Sequence, residues 1–353
     1  MDSAHRLVGR FSRWFGKGSD PDPLEWFRIN NRPAQDLAGL QNVEAKLIKV
    51  IASAPEHSPL RARLVGHVAI IAHRRGTNSE LDVRNSLEAV HQVDEVVRAG
   101  HFPLAKSLIE RHAAKWPKSD ALRRLSHLLN GPGKGDGFDD QGSDFQIWRR
   151  PGGAAVTLVV FAGFGQRFGI NLGLLHHVWL SALPANVVYL RDYERYFYLA
   201  GIRSIGNLDA TLQHLSETLA SLETKRSIFL GQSGGVFGAL YYGVRIGADM
   251  ALCFSGRVNI YPLESTPHKS LKTAHESGRI PWPDLRELIS NSALQVHCYY
   301  GASNVVDAAQ ARTLSGLPNV FLHPIEGCDK HSVLDYLAER GELAKIFSSC
   351  CEV

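Results

Sequence analysis

SIFLGQSGGVFGALYYG, residues 227–243, places Ser233 between glycines at the junction of two apolar segments. Ile228, Phe229 and Leu230 form a β-type run, and the segment from Val236 onward is apolar with small residues and helical character. A chain that passes from strand to helix through G-x-S-x-G must turn sharply, and the turn projects the serine hydroxyl away from the backbone. A side chain at Gly231 or Gly235 would collide across such a turn. Ser233 is then either a nucleophile or the polar residue that a strand-to-helix turn commonly carries, and the flanking sequence decides between them.

On either side of this stretch, short β-type runs alternate with helical segments. FQIWRR, AVTLVVF, NVVYL, RSIFL, MALCF, LQVHCYY and NVFLHP are the runs, most of them continuously apolar. GLLHHVWLSAL, LDATLQHLSETLASL, VFGALYYGVRIG and HSVLDYLAERGELAKIF lie among them. Apolar strands that alternate with helices predict a mostly parallel sheet covered on both faces, a doubly wound α/β domain over residues 144–353. In open parallel sheets ligands bind at the carboxyl ends of the strands, so the residues just after each run are read as a set. With GQSGG as its nucleophile elbow, the region from Phe145 to Phe347 resembles an α/β-hydrolase fold.

The resemblance implies a chain order of serine, acid, histidine. It implies His331, in the loop before the final helical segment, as the general base, with His297 and His323 inside strands as structural residues. Asp307, the carboxylate in GASNVVDAAQARTL, is taken to orient the imidazole. The alternative role for Asp307 is a helix N-cap. Asn304 stands about where many members of the fold carry the acid, and would hold the imidazole without charge. The resemblance further implies Phe164 and Gly234 as backbone oxyanion donors. The FAGFGQRFG turn lacks both the Lys-Ser/Thr ending of a P-loop and the glycine spacing of a dinucleotide fingerprint, so nucleotide binding is discounted. Arg167, Arg191 and Arg257 follow strand ends; they either converge on a substrate anion or serve as ordinary salt-bridge partners of Asp192 or Glu194. The polar segment over residues 256–280 is a lid or a plain loop.

Before this domain the periodicity is helical. QDLAGLQNVEAKLIKVIASAP, SPLRARLVGHVAIIAHRRG, SELDVRNSLEAVHQVDEVVRAG, PLAKSLIERHAAKWP and KSDALRRLSHLLNG predict an all-α domain of helical hairpins over residues 21–130. Its last pair resembles one tetratricopeptide unit, a residue out of register; an irregular helical domain is the alternative. A Gly/Asp-rich linker over 131–143 follows it. Residues 1–20 contain AHRLVGRFSRWFGKG, which puts Leu7, Val8, Phe11, Trp14 and Phe15 on one helical face and Arg6, Arg10, Arg13 and Lys17 largely on the other. Such a segment lies in a membrane interface through residues 5–17, docks on the protein itself, or serves as an organellar transit peptide.

Composition narrows the function classes. With 353 residues, 44% hydrophobic and 21% charged, the chain has the balance of a soluble protein of about two domains. A net charge of +4 without a basic, aromatic-interleaved run argues against nucleic acid. The cysteines Cys253, Cys298, Cys328, Cys350 and Cys351 show no CxxC pairing, which points to a reducing compartment and no structural zinc. The expected protein is cytoplasmic or peripheral at the membrane and needs neither cofactor nor metal. The expected activity is that of a serine hydrolase on an ester or thioester, of an anionic small molecule, glycan or lipid. An acyltransferase on the same triad and a non-catalytic scaffold that binds a protein partner through the helical domain are the alternatives.

Overall fold

The computed structural model describes residues 59–77, 83–129, 138, 142–260 and 269–352, with scattered positions between 41 and 52. Residues 1–20 and the segment 261–268 therefore lie outside the described residues, as do most of the Gly/Asp-rich linker and the start of the helical region. The chain divides into two compact units, one of residues 1–132 with 137–142 and one of 133–136 with 143–353. Among the described residues no helix is long and apolar enough to cross a membrane.

The first unit is helical: α1 (Pro59–Arg74), α2 (Ser86–Arg98), α3 (Phe102–Lys115) and α4 (Asp120–Leu129), each packed on the next. Asn85 caps α2 by accepting the Glu88 N–H at 2.9 Å. One stripe of α2 is apolar, with Ala89, Val93, Val96 and Val97 buried. Glu88, Gln92 and Glu95 are buried too, and each has a partner. The Arg61 Nε meets Glu88 at 2.7 Å, His67 meets Glu95 at 3.1 Å, and His112 Nε2 lies 2.6 Å from Gln92 Oε1. Periodicity finds such helices but not this polar seam, because the same charges on an isolated helix read as a solvated face.

In the second unit the seven sequence runs are seven strands: β1 (Phe145–Trp148), β2 (Val156–Phe161), β3 (Ala185–Leu190), β4 (Arg226–Gln232), β5 (Met250–Phe254), β6 (Gln295–Gly301) and β7 (Val320–Ile325). They form one sheet in the order β1-β3-β2-β4-β5-β6-β7. β1 is antiparallel to β3, and every other pairing is parallel. The helices between and after them are α5 (Leu172–Val178), α6 (Leu208–Ser221), α7 (Gly235–Ile246), α8 (Lys269–Glu276), α9 (Leu285–Ser290), α10 (Val305–Arg312), α11 (Val333–Glu339) and α12 (Glu342–Cys351).

Strand side chains alternate between faces, so each face can be assigned its helices. Val159, Phe161, Phe229, Ala251 and Cys253 share a buried cluster with residues of α6 to α10. On the opposite parity Tyr189 bonds His176 of α5, and the Phe254 ring packs on Phe347 of α12. A sheet covered on both faces explains why β2 and β3 are buried at every position. It also leaves the strand ends as the place where polar side chains can gather.

Candidate active site

β4 runs into α7 through Gly231-Gln232-Ser233-Gly234, and the turn is as tight as the sequence implies. Ser233 has φ of +53°, a left-handed conformation that costs a non-glycine residue energy and tips its side chain out of the turn. A Cβ on Gly235 would stand 2.1 Å from the Phe161 carbonyl oxygen, and one on Gly231 would stand 2.6 Å from the Val236 Cα. Only glycine lets β4, α7 and the end of β2 approach so closely. The backbone then locks the turn: Ser233 N–H donates to Phe254 O at 3.1 Å, and Ser233 O accepts from Arg257 N–H at 3.2 Å.

His331 and Asp307 reach this serine from later strand ends. Ser233 Oγ lies 2.9 Å from His331 Nε2. On the other side of the ring, His331 Nδ1 lies 3.0 Å from both Asp307 carboxylate oxygens. The Asp307 side chain is 5% exposed and that of His331 51%, so the acid is shielded while the ring opens to solvent. The histidine pKa is raised, chiefly by the hydrogen bond to Asp307; burial and the Arg257 charge oppose that rise. A hydrogen-bonded carboxylate behind the ring fixes the tautomer and favours the imidazolium that forms when Nε2 takes a proton.

The two roles left open for the acid loop separate here. Asn304, not Asp307, caps α10: its Oδ1 accepts the Asp307 N–H at 3.0 Å. Asp307 is thereby free to face His331, while Asn304 Nδ2 donates to the Asp329 carbonyl at 3.2 Å.

The other candidates fall at different distances from the serine. The Phe164 ring lies against Gly234, 2.9 Å from where a Cβ would project, so the two residues named as oxyanion donors adjoin each other beside the nucleophile turn. Arg257, half-buried, is tied to the elbow by its N–H and its charge reaches His331. Beyond it, Val258, Asn259 and Ile260 enter the wall of a recess of about 140 Å³ with Phe237 and Leu285. Arg167 is half-buried, and its carbonyl accepts the Gly163 N–H at 2.8 Å, which folds the loop after β2 back on itself.

Arg191 departs from expectation. It is 2% exposed, and its guanidinium donates to the Ser143 carbonyl at 2.6 Å, beside β1. The antiparallel pairing of β1 with β3 brings that carbonyl to Arg191, so the residue braces the sheet edge rather than facing an open crevice.

Sequence reasoning also missed the scaffold behind the Phe164 loop. Asp192 is buried, and its two carboxylate oxygens accept the N–H groups of Arg195 and Tyr198, each at 2.9 Å. Burial pushes this carboxyl up to about 6, against the pull of those N–H groups. Tyr198 OH donates to Ala162 O at 2.7 Å, and Gln166 Nε2 donates to Asp192 O at 2.9 Å. Phe197 joins them by packing between Phe164 (4.6 Å) and Phe237 (5.6 Å). Arg195, Phe197 and Tyr198 all have positive φ, a conformation that composition does not announce. His297 and His323, read as structural, stack on each other with Nδ1 and Nε2 3.1 Å apart, and burial lowers the pKa of both. Among the described residues no group of three or more His, Cys, Asp or Glu side chains is arranged to hold a metal ion.

A seven-stranded sheet with an antiparallel first strand, a serine elbow after β4, and acid and histidine after β6 and β7 decides the architecture. The fold is that of the α/β hydrolases. No family model matches the chain, and no curated protein matches it. Solved structures that are similar include the capsule O-acetyltransferase of Neisseria meningitidis serogroup A, at 13% identity over 57% of this chain and 90% of that chain, with a TM-score of 0.41. A carboxylesterase from Nitrososphaera gargenis matches at 15% identity over 59% of this chain and 94% of that chain, TM-score 0.39. A bromoperoxidase from Bacillus anthracis matches at 12% identity over 58% and 94%, TM-score 0.36. The fold is read from the strand order and the reaction from the geometry of the site.

Proposed function

We propose that this α/β-hydrolase fold works as a serine acyl hydrolase on esters or thioesters, with a preference for substrates that carry an anion. The observation that carries the reading is the unbroken hydrogen-bonded line from Ser233 Oγ through the His331 ring to Asp307, at 2.9 and 3.0 Å. In this reading His331 Nε2 takes the hydroxyl proton as Ser233 Oγ bonds to the substrate carbonyl carbon. Asp307 holds the ring and stabilises its positive charge. The N–H groups of Phe164 and Gly234 donate to the oxygen that becomes negative. His331 then gives its proton to the departing alcohol or thiol, and the acyl-serine is released by water that the same histidine activates. Arg257, joined to the elbow through its backbone, and Arg167 supply the positive charge for a substrate carboxylate or phosphate.

A fluorophosphonate probe tests this directly, because the activated serine oxygen displaces fluoride and keeps the label. The native protein should be labelled, and Ser233→Ala and His331→Ala should not. A folded native protein that takes no label would overturn the reading. Labelling that survives in Ser233→Ala would assign it to another residue.

A further inference from the structure

Asn304, Asp307 and Gln310 follow one another at three-residue spacing, so they line one side of α10. Each side chain holds a different part of the site. Asn304 reaches the loop that carries His331, and Asp307 reaches His331 itself. Gln310 Oε1 accepts the N–H groups of Val258 and Asn259, each at 2.8 Å. That third pair of bonds belongs to the loop after β5, which carries Arg257.

Three successive N–H groups of this loop are therefore committed. Arg257 N–H donates to Ser233 O, and the next two donate to the single Gln310 oxygen. Val258 is buried, at 5% exposure, so removing its acceptor would leave a buried donor unpaired. A buried donor left without an acceptor is costly enough to make a loop move until water or another group reaches it. The loop would carry Arg257 with it.

We propose that Gln310 is a positioning residue for substrate recognition: by accepting the Val258 and Asn259 N–H groups it holds Arg257 beside Ser233 and His331, and so sets the preference for an anionic substrate. The inference rests on the reading of Arg257 as the anion contact. It also has a consequence that needs no substrate. The charged groups that bear on His331 are Asp307 from α10, which favours the imidazolium, and Arg257 from the loop after β5, which opposes it. Asp329 and Lys330 precede the histidine on its own loop. If the loop after β5 shifts, Arg257 leaves this balance and the histidine holds its proton to higher pH.

The test is a titration of His331 by NMR of ¹⁵N-labelled imidazole in the full chain, comparing native protein, Arg257→Met, Gln310→Met and the double variant. Methionine keeps the length of glutamine and removes the acceptor; Gln310→Ala replaces it if the methionine variant does not fold. Both single variants should raise the His331 midpoint, and the double variant should match Arg257→Met, because Gln310 acts only through Arg257. In parallel, the kcat/KM ratio for 4-nitrophenyl hemisuccinate over 4-nitrophenyl 4-methylpentanoate, a neutral ester of similar shape, should fall about tenfold in either single variant through KM. A Gln310→Met midpoint equal to native, a double variant that exceeds Arg257→Met, or equal slowing of both esters would each overturn the proposal. Native protein that takes no fluorophosphonate label, with midpoints that move as expected, would remove the hydrolase reading while upholding the placement of Arg257 by Gln310.

Discussion

Around Ser233 the site is shaped by atoms that are absent, whereas around His331 it is shaped by side chains that reach from one loop to another. Gly231 and Gly235 let three backbone segments meet at distances no Cβ allows, and the serine inherits its left-handed φ from that approach. Asp307 lies on α10 and His331 on the loop after β7, and side-chain hydrogen bonds from Asn304 and Asp307 join the two. The first arrangement is steric and should fail abruptly. The second is a set of separable bonds and should fail by degrees.

Gly235→Ala breaks the steric half and has the largest expected effect. Its methyl group would stand 2.1 Å from the Phe161 carbonyl oxygen and 2.8 Å from that of Ala162, so the elbow must part from β2. A loss of about 3 kcal/mol or more in urea unfolding is expected, together with loss of fluorophosphonate labelling. Gly165→Ala is the matched control in the facing loop. Nothing lies within 4 Å of its added methyl, so stability should stay within about 0.5 kcal/mol.

Asp307→Asn cuts the first bond of the other half. The labelling rate should fall about a thousandfold or more, because the ring loses both its orientation and the charge that stabilises imidazolium. The pH dependence carries a sign that checks the cause. On the proposed reading His331 takes the serine proton only when neutral, and Asp307 raises the histidine pKa, so labelling should rise through a midpoint above the usual value of about 6.5. In Asp307→Asn the residual rate should rise at lower pH than in the native protein. Stability linkage runs the opposite way with pH. The contribution of the pair is full below the unfolded pKa and is lost as pH rises through the raised folded value, so the variant should lose most stability in mild acid.

The same division explains what was legible in the sequence. The seven strands could be read because burial on both faces makes each a local apolar run. The elbow could be read because its steric demand falls on neighbouring positions, and His331 because it lies between the last strand and the next helix. Asp307 was chosen as the nearest carboxylate; the structure puts it 3.0 Å from His331, which local sequence could not distinguish from a cap. Arg191 was misplaced because its acceptor, the Ser143 carbonyl, arrives through a strand pairing nearly 50 positions away. Gln310 drew no attention, since a glutamine inside a short helix gains meaning only when the loop at 258–259 folds against it. Asp192 was noticed only as a neighbour for arginine, and its backbone partners three and six residues on could not be inferred without the positive φ values between them.

Asn304 has the smallest expected effect and tests whether the side-chain half is as separable as it looks. It performs two tasks with two atoms, capping α10 through Oδ1 and tying the His331 loop through Nδ2. Asn304→Ala removes both, and should cost about 1 kcal/mol in urea unfolding, the usual value of an N-cap, while slowing the labelling several-fold. Asn304→Asp keeps an acceptor for the Asp307 N–H but cannot donate to the Asp329 carbonyl. Stability should therefore return to near the native value while labelling stays slow, because the cap is local to the helix and the lost tie governs where His331 sits. If both recover together, Asn304 serves the site only through the helix, and the two loops are held in register by Asp307 and the backbone bonds Ala302 N–H to Ile325 O and Ser303 N–H to Cys328 O, at 3.0 and 3.1 Å.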